Sequence, residues 1–269
     1  MRRFCVSCAI AVFASSAGAC AADLQPETAN AFDQYVRKAE MRMDERLQSA
    51  KFLWADQEGG SLNELRSGRV LAQPAATKAE APAPHGLIHD WIGAVFIPGV
   101  TLHEVLSAVQ DYDRHKFAYG PEVVDSKLLR RTGDDFHIYL RLRKKKVVTV
   151  TLNTEHDVHY QQLDAVRCRS RSYSTRIAEV ANAGQRDERE LPVGHDHGFM
   201  WRLYSYWRFV ERDGGVYVEC EAISLTRDVP AALSWLISPI IRNLPRESLI
   251  ATLASTRNFS LSRKTNQAN

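Results

Sequence analysis

Apolar residues first recur regularly at Phe32, Val36, Ala39, Met43, Leu47, Ala50 and Trp54, in steps of three and four. Charges of both signs fill the gaps, from Arg37, Lys38 and Glu40 to Arg42, Asp44, Glu45 and Arg46. This period predicts one amphipathic helix of roughly 25 to 30 residues, about 40 Å long. It should end near Gly59-Gly60. Packing on the flank of a domain is the plain use of such a helix. Dimerisation or a membrane surface are the alternatives, and the mixed charge speaks against the second. Leu65 to Leu71 then reads as a short strand, and Ala72 to Pro84 as a Pro/Ala-rich linker without periodicity.

From Gly86 the pattern tightens and the period changes. Leu87 to Ile97 reads as a strand stopped by Pro98-Gly99. Thr101 and Glu104 form a capping box ahead of Val105, Leu106 and Val109, which predicts a short helix that breaks between Tyr112 and Pro121. Strands are expected at Glu122 to Arg130, Asp135 to Arg143, Val147 to Gln161 and Ala165 to Val180. After a polar excursion from Asn182 to Gly198 come Phe199 to Glu211 and Gly215 to Arg227, joined by the tight-turn pair Asp213-Gly214. A helical tail from Ala231 to about Leu261 closes the chain, with its main helix at Pro245 to Leu261 after breaks at Pro239 and Pro245. A meander of long strands must bury one face, and the terminal helix is the apolar element left to cover it.

Alternation along the last hairpin sorts its residues. Phe199, Trp201, Leu203, Ser205, Trp207 and Phe209 share one face, and Met200, Arg202, Tyr204, Tyr206 and Arg208 the other. A two-residue turn at Asp213-Gly214 sets Trp207 opposite Cys220, Ser205 opposite Ala222 and Leu203 opposite Ser224. Arg208 then meets Glu219 as an exposed cross-strand pair. The inner face of the final strand, Val216, Val218, Cys220, Ala222 and Ser224, is nearly all small. Small residues opposite large aromatics either interdigitate or leave a void. Ser170, Ser172 and Ser174, inward with Val166 and Cys168, favour the void, because buried hydroxyls need partners.

Composition narrows the function classes. The chain has 269 residues, 45% hydrophobic and 25% charged, and a net charge of +3 too dispersed for nucleic acid. The densest basic run, Arg141 to Lys146, falls at a hairpin tip, and Arg167, Arg169 and Arg171 form an outward stripe suited to carboxylates on a neighbouring strand. Arg2-Arg3, the apolar run Phe4 to Ala14 and small residues before Ala19 or Ala21 have the layout of a secretory signal peptide. Export to the periplasm or cell envelope is therefore expected, with lipidation of Cys20 as a variant. Of five cysteines only Cys168 and Cys220 lie well inside the mature chain; with a strand between them, both are expected as buried free thiols.

The block from Gly86 to Leu261 resembles the START-like (SRPBCC) superfamily of polyketide cyclases and lipid-transfer domains. The resemblance rests on the order strand, helix, strands, helix. It rests also on His89-Asp90-Trp91-Ile92-Gly93, Tyr206-Trp207-Arg208-Phe209, Tyr217 to Pro230 and the tail Trp235 to Leu253. It implies an α+β helix-grip fold, a curved antiparallel sheet wrapped around a long C-terminal helix and an apolar ligand cavity. The N-terminal amphipathic helix is an addition to that pattern. The organisation expected is a signal peptide at 1–21, that helix at 22–60, a short strand and linker at 61–85, the START-like domain at 86–263 and a tail at 264–269.

Candidate chemistry is thin. His195 and His197 in Gly194-His195-Asp196-His197-Gly198 point the same way on an extended chain, but a third metal ligand is missing nearby. His156 and His159 face opposite sides of a strand. Asp90, Glu155 and His156 are conceivable acid–base groups in a cavity, yet no nucleophile, base and orienter converge by spacing. The expected function is binding or transport of a lipid-like apolar ligand, without catalysis, metal or cofactor. A cyclase- or hydrolase-like enzyme with His156 as proton carrier is one alternative, and an interaction module with a filled core is the other. Trp201, Leu203, Trp207, Phe209, Val218, Cys220 and Ala222 are expected to line the cavity, with Ser170, Ser172 and His156 offering hydrogen bonds. The partner is an apolar small molecule or lipid, with transient membrane contact and no nucleic acid; oligomeric state stays open.

Overall fold

The computed structural model describes residues 22–49, 51–57, 61–76, 78, 80–146, 149–228 and 234–267, with backbone alone for 234–242, 266 and 267. The proposed signal peptide, Cys20 and Gly59-Gly60 lie outside the described residues. In chain order the elements are β1 (Ala22–Asp23), α1 (Pro26–Leu47), α2 (Ser61–Arg66), β2 (Leu71–Pro74), β3 (Glu80–Ala83), β4 (Gly86–Pro98), α3 (Leu102–Val109) and α4 (His115–Ala118). There follow β5 (Val123–Thr132), β6 (Asp135–Lys145), β7 (Thr149–Gln162), β8 (Arg167–Ala181), β9 (Arg189–Glu190), β10 (His195–Asp196), β11 (Arg202–Arg212), β12 (Gly215–Arg227) and α5 (Ser234–Gln267).

Eight strands form the main path of one antiparallel sheet in the order β2-β4-β12-β11-β8-β7-β6-β5. The meander runs from β5 through β8 and returns by β11 and β12 to pair with β4. The chain crosses from β4 to the far edge through α3 and α4. Thr101 caps α3 as its side chain accepts from the Glu104 amide at 3.3 Å, and Glu104 accepts from the Thr101 amide at 2.7 Å. The last hairpin has the register expected from Asp213-Gly214: Trp207 pairs Cys220, Ser205 pairs Ala222 and Leu203 pairs Ser224. The concave face grips α5. Leu249 and Leu253 are buried against β4, where a Cβ on Gly93 would come within 2.9 Å of the Leu253 side chain. Glycine there lets the helix approach the strand. This is the helix-grip, α+β architecture that the START-like resemblance implies.

Several local expectations give way. α1 stops at Leu47 instead of running on to Gly59. Phe52, Leu53, Trp54 and Ala55 leave the helix to bury against Phe96, Val210 and Tyr217, so the continued period past Leu47 serves a different contact. Leu65 lies inside a short helix that ends at Arg66, and a strand begins only at Leu71. The described part of the Pro/Ala-rich stretch contributes β2 and β3, which pair along β4 and cover its open edge. α5 is one continuous helix from Ser234, through Pro239 and Pro245, where breaks were expected. Each proline removes a single amide donor, and the helix carries on past the loss.

The convex face explains the extra helix. Phe32, Val36, Ala39 and Met43 of α1 pack on Ile88, Tyr206, Ile223 and Leu225. Beneath the same helix lie Asp90, Glu219 and Glu221, each 2% exposed or less. Tyr35 donates to Asp90 at 2.9 Å, Arg42 bonds Glu221, and Arg46 bonds Glu219 at 3.1 Å. Arg208 does face Glu219, but the pair is buried rather than exposed, and its guanidinium donates to the carbonyls of Met43 and Phe52. Arg169 and Arg171 likewise turn from the expected strand carboxylates to Asp44 of α1, at 2.8 and 2.6 Å. α1 is thus held to the sheet by an apolar stripe flanked by ion pairs.

Candidate functional site

Between the concave face and α5 lies a cavity of about 440 Å³. Its closed end is apolar: Val95, Ile97, Val100, Leu102, Val105 and Val218 pack there with Phe209. Its mouth lies where β4, β5, β7 and β11 begin, between Glu122, Arg143, Lys144, Val150, Phe199, Met200 and the α5 residues Leu244 and Pro245. Lys144 bonds Glu122 and the hydroxyl of Ser248, which ties the β6 end to α5 at this rim.

Strand register places the walls. One row across the sheet runs from His89 to Ser224 to Leu203, whose amide donates to the Ser174 hydroxyl, and on to His156 beside Ser174. The next row, deeper, is Trp91, Ala222, Ser205, Ser172 and Val158. A third is Gly93, Cys220, Trp207, Ser170 and Tyr160. The helical side adds Tyr112, His115 and Tyr119 with Leu249 and Thr252.

The polar groups of the wall are largely paired and uncharged. The hydroxyls of Tyr112 and Tyr160 meet at 3.0 Å, and those of Tyr119 and Thr256 at 3.1 Å. His115 Nε2 lies 3.0 Å from the Val109 carbonyl, His156 Nε2 3.0 Å from Thr154 Oγ1, and His89 Nε2 3.2 Å from Thr226 Oγ1. Burial pulls all three imidazoles down to about 4, so they are neutral at pH 7. Burial pushes the Tyr112 and Tyr160 phenols and the Cys220 thiol upward. Among the lining residues, full charges occur at the mouth, on Glu122, Arg143 and Lys144. Such a space suits an apolar molecule and disfavours an ion.

The architecture is an α+β helix-grip, an antiparallel sheet closed on a long C-terminal helix. Among solved structures, a Thermus thermophilus protein is 14% identical over 64% of this chain and 97% of its own, with a TM-score of 0.47. A STAR-related lipid transfer protein from Xanthomonas axonopodis is 17% identical over 67% of this chain and 99% of its own, with a TM-score of 0.43. An aromatase/cyclase from a Streptomyces species is 13% identical over 65% and 95%, with a TM-score of 0.42. No family model and no curated protein matches the chain.

Leu203, Trp207, Phe209, Cys220, Ala222, Ser170, Ser172 and His156 line the cavity. Trp201 and Val218 do not. Trp201 sits in a bend before β11 begins, so strand alternation does not govern it. Its indole N–H donates to Asp196 at 3.2 Å, and its ring packs with the α1 cluster of Phe32 and Val36. Val218 faces inward but lies in the packed floor beyond the open volume. Val166, expected inward beside Cys168, precedes β8 and is exposed. Cys168 and Cys220 are free and buried, with β11 between them.

Asp90 belongs to the convex face under α1, and Glu155 bonds His137 on the surface, so neither joins His156 in the cavity. His195 bonds Asp23 at 2.7 Å and His197 bonds Glu179 at 2.5 Å, which pins β10 to β1 and to β8. Among the described residues no three His, Cys, Asp or Glu side chains gather as a metal-binding group.

Sequence reasoning missed His89, Trp91, Tyr112, His115, Tyr119 and Tyr160 as lining residues. The first two were accessible by parity: once β12 pairs with β4, an inward Ala222 makes Trp91 inward, and His89 follows two residues away. The tyrosines of the helical break carry no such signal.

Proposed function

We propose that this protein binds and carries an apolar, lipid-like molecule in the cell envelope without transforming it. The observation that carries the reading is an open, mainly apolar volume of about 440 Å³ in place of a filled core. That size falls within the range of small-molecule sites, about 300–1,000 Å³. A ligand burying about 200 Å² of apolar surface there would gain roughly 5 kcal/mol from burial alone.

His156 speaks for binding over catalysis. Burial holds it near 4, which makes it a weak base at pH 7, and its bonded neighbour is the Thr154 hydroxyl. Exposed Arg143 at the mouth, and exposed Lys145, Lys146 and Arg246 close in sequence to its lining residues, support transient contact with anionic lipid headgroups. The envelope location rests on the N-terminal Arg2-Arg3 and apolar run. Titration of delipidated protein with N-phenyl-1-naphthylamine tests the binding reading. One saturable site that an unlabelled lipid extract empties supports it, and no uptake by folded protein refutes it.

A further inference from the structure

The cavity wall holds hydrogen-bonding capacity that the fold leaves unused. Thr226 donates its hydroxyl hydrogen to the carbonyl of Arg227, and Thr154 donates to the carbonyl of Leu140. A hydroxyl has one hydrogen, so Nε2 of His89 and of His156 must carry the proton in their contacts with these threonines. Nε2 of His115 meets the Val109 carbonyl, which only accepts, and so is also protonated. All three cavity imidazoles are then the same tautomer, and each Nδ1 is a bare lone pair.

Nδ1 of His89 is buried without a partner, and so is the indole N–H of Trp91 two residues on. Among the described residues these are the two orphaned buried polar atoms that belong to cavity-lining side chains. One is an acceptor and the other a donor. They stand at the β4 end of two adjacent rows that also carry Ser224, Ser205 and Ser172, a polar belt across an otherwise apolar wall. An alkyl chain would leave both atoms orphaned. A carboxylate or phosphate only accepts, so it would leave the His89 lone pair facing a second acceptor, with no cation in the belt to neutralise it. A hydroxyl group both donates and accepts, so it suits either atom.

We propose that the cavity selects an uncharged ligand whose apolar skeleton bears at least one hydroxyl group, seated at His89 and Trp91 on the belt of Ser224, Ser205 and Ser172. The inference rests on the carrier reading and names the class of cargo.

Three probes of one skeleton separate the terms: trans-stilbene, its para,para′-dihydroxy derivative and its para,para′-dimethoxy derivative, which accepts but cannot donate. The dihydroxy compound is expected to bind about tenfold more tightly than the other two. His89→Phe should reduce that preference to within about twofold and leave stilbene itself unchanged, while His89→Asn, which restores an acceptor, should recover part of it. Trp91→Phe, which keeps a ring and removes the N–H, is the second variant should His89→Phe fail to fold. Equal binding of all three probes, or dimethoxy binding as tight as dihydroxy, overturns the belt and leaves the carrier reading standing. Folded protein that takes up none of the three refutes both.

Discussion

Arg208 of β11 lies directly across from Glu219 of β12, and both are buried beneath α1. Their pairing gives the N-terminal helix a chemical grip on the sheet, since Arg208 also donates to the carbonyls of Met43 and Phe52. Arg208→Leu leaves two buried carbonyls without their donor and takes one cation from beside the buried Glu219, which keeps Arg46 and the Trp54 amide. A loss of about 3–5 kcal/mol is expected in urea unfolding. Adding Glu219→Gln should recover part of it, so the double-mutant cycle reads a positive coupling. Additive losses would mean that the pair acts independently.

Ala222 faces Trp91 across the β12–β4 pair, at the centre of the belt. Ala222→Trp should occupy the open volume and not the packed floor. The circular dichroism spectrum is expected to stay native while naphthylamine uptake falls at least tenfold. Unchanged uptake by the folded variant would place the ligand elsewhere.

Acid should act through the cavity histidines. His156 titrates near 4 in the folded chain and at 6.5 when unfolded. Between those values the unfolded chain holds a proton that the folded chain refuses, so this contribution is complete above pH 6.5 and is lost as pH falls toward 4. Each such group changes stability by up to about 1.4 kcal/mol per pH unit. Glu221, whose carboxyl is pushed up by burial and by the neighbouring Asp90, opposes it, because the folded chain keeps that proton to higher pH. The difference between wild type and His156→Gln therefore isolates the term: the variant should lose less stability between pH 6.5 and 4.5. Parallel curves would contradict the buried, neutral imidazole.

Arg143 at the mouth, with Lys145 and Arg246 next in sequence to the lining residues Lys144 and Pro245, is exposed and, like them, forms no ion pair within 4 Å among the described residues, whereas Lys146 is paired with Glu247 at 2.7 Å. Changing the three unpaired cations to Gln should weaken co-sedimentation with phosphatidylserine-containing vesicles by about 1 kcal/mol per residue at low salt. Binding of the naphthylamine probe in solution should not move. Vesicle binding that ignores the change would remove these cations from the proposed membrane contact.

Much of this architecture is legible in local pattern. Period-two alternation and the Asp213-Gly214 turn specify the register that sets Trp207 opposite Cys220, because both signals act over neighbouring residues. Where the expectation failed, the deciding partner is far away in sequence. Arg208 and Glu219 look like a surface pair until α1, more than 150 residues earlier, covers them. Pro74 and Pro82 look like linker residues until β4 offers an edge. Trp201 has the parity of a lining residue, but the bend after Gly198, whose φ is 70°, turns it toward Phe32. Tyr112, His115 and Tyr119 reach the cavity only because α5 packs beside α4, for which no periodic signal exists.

The most direct test is native mass spectrometry, with lipid extraction, of protein purified from its own cells beside the Ala222→Trp variant. The account predicts one hydroxyl-bearing apolar adduct per chain in the wild type and none in the variant. A clean unliganded mass for the wild type, or the same adduct on both proteins, would contradict it.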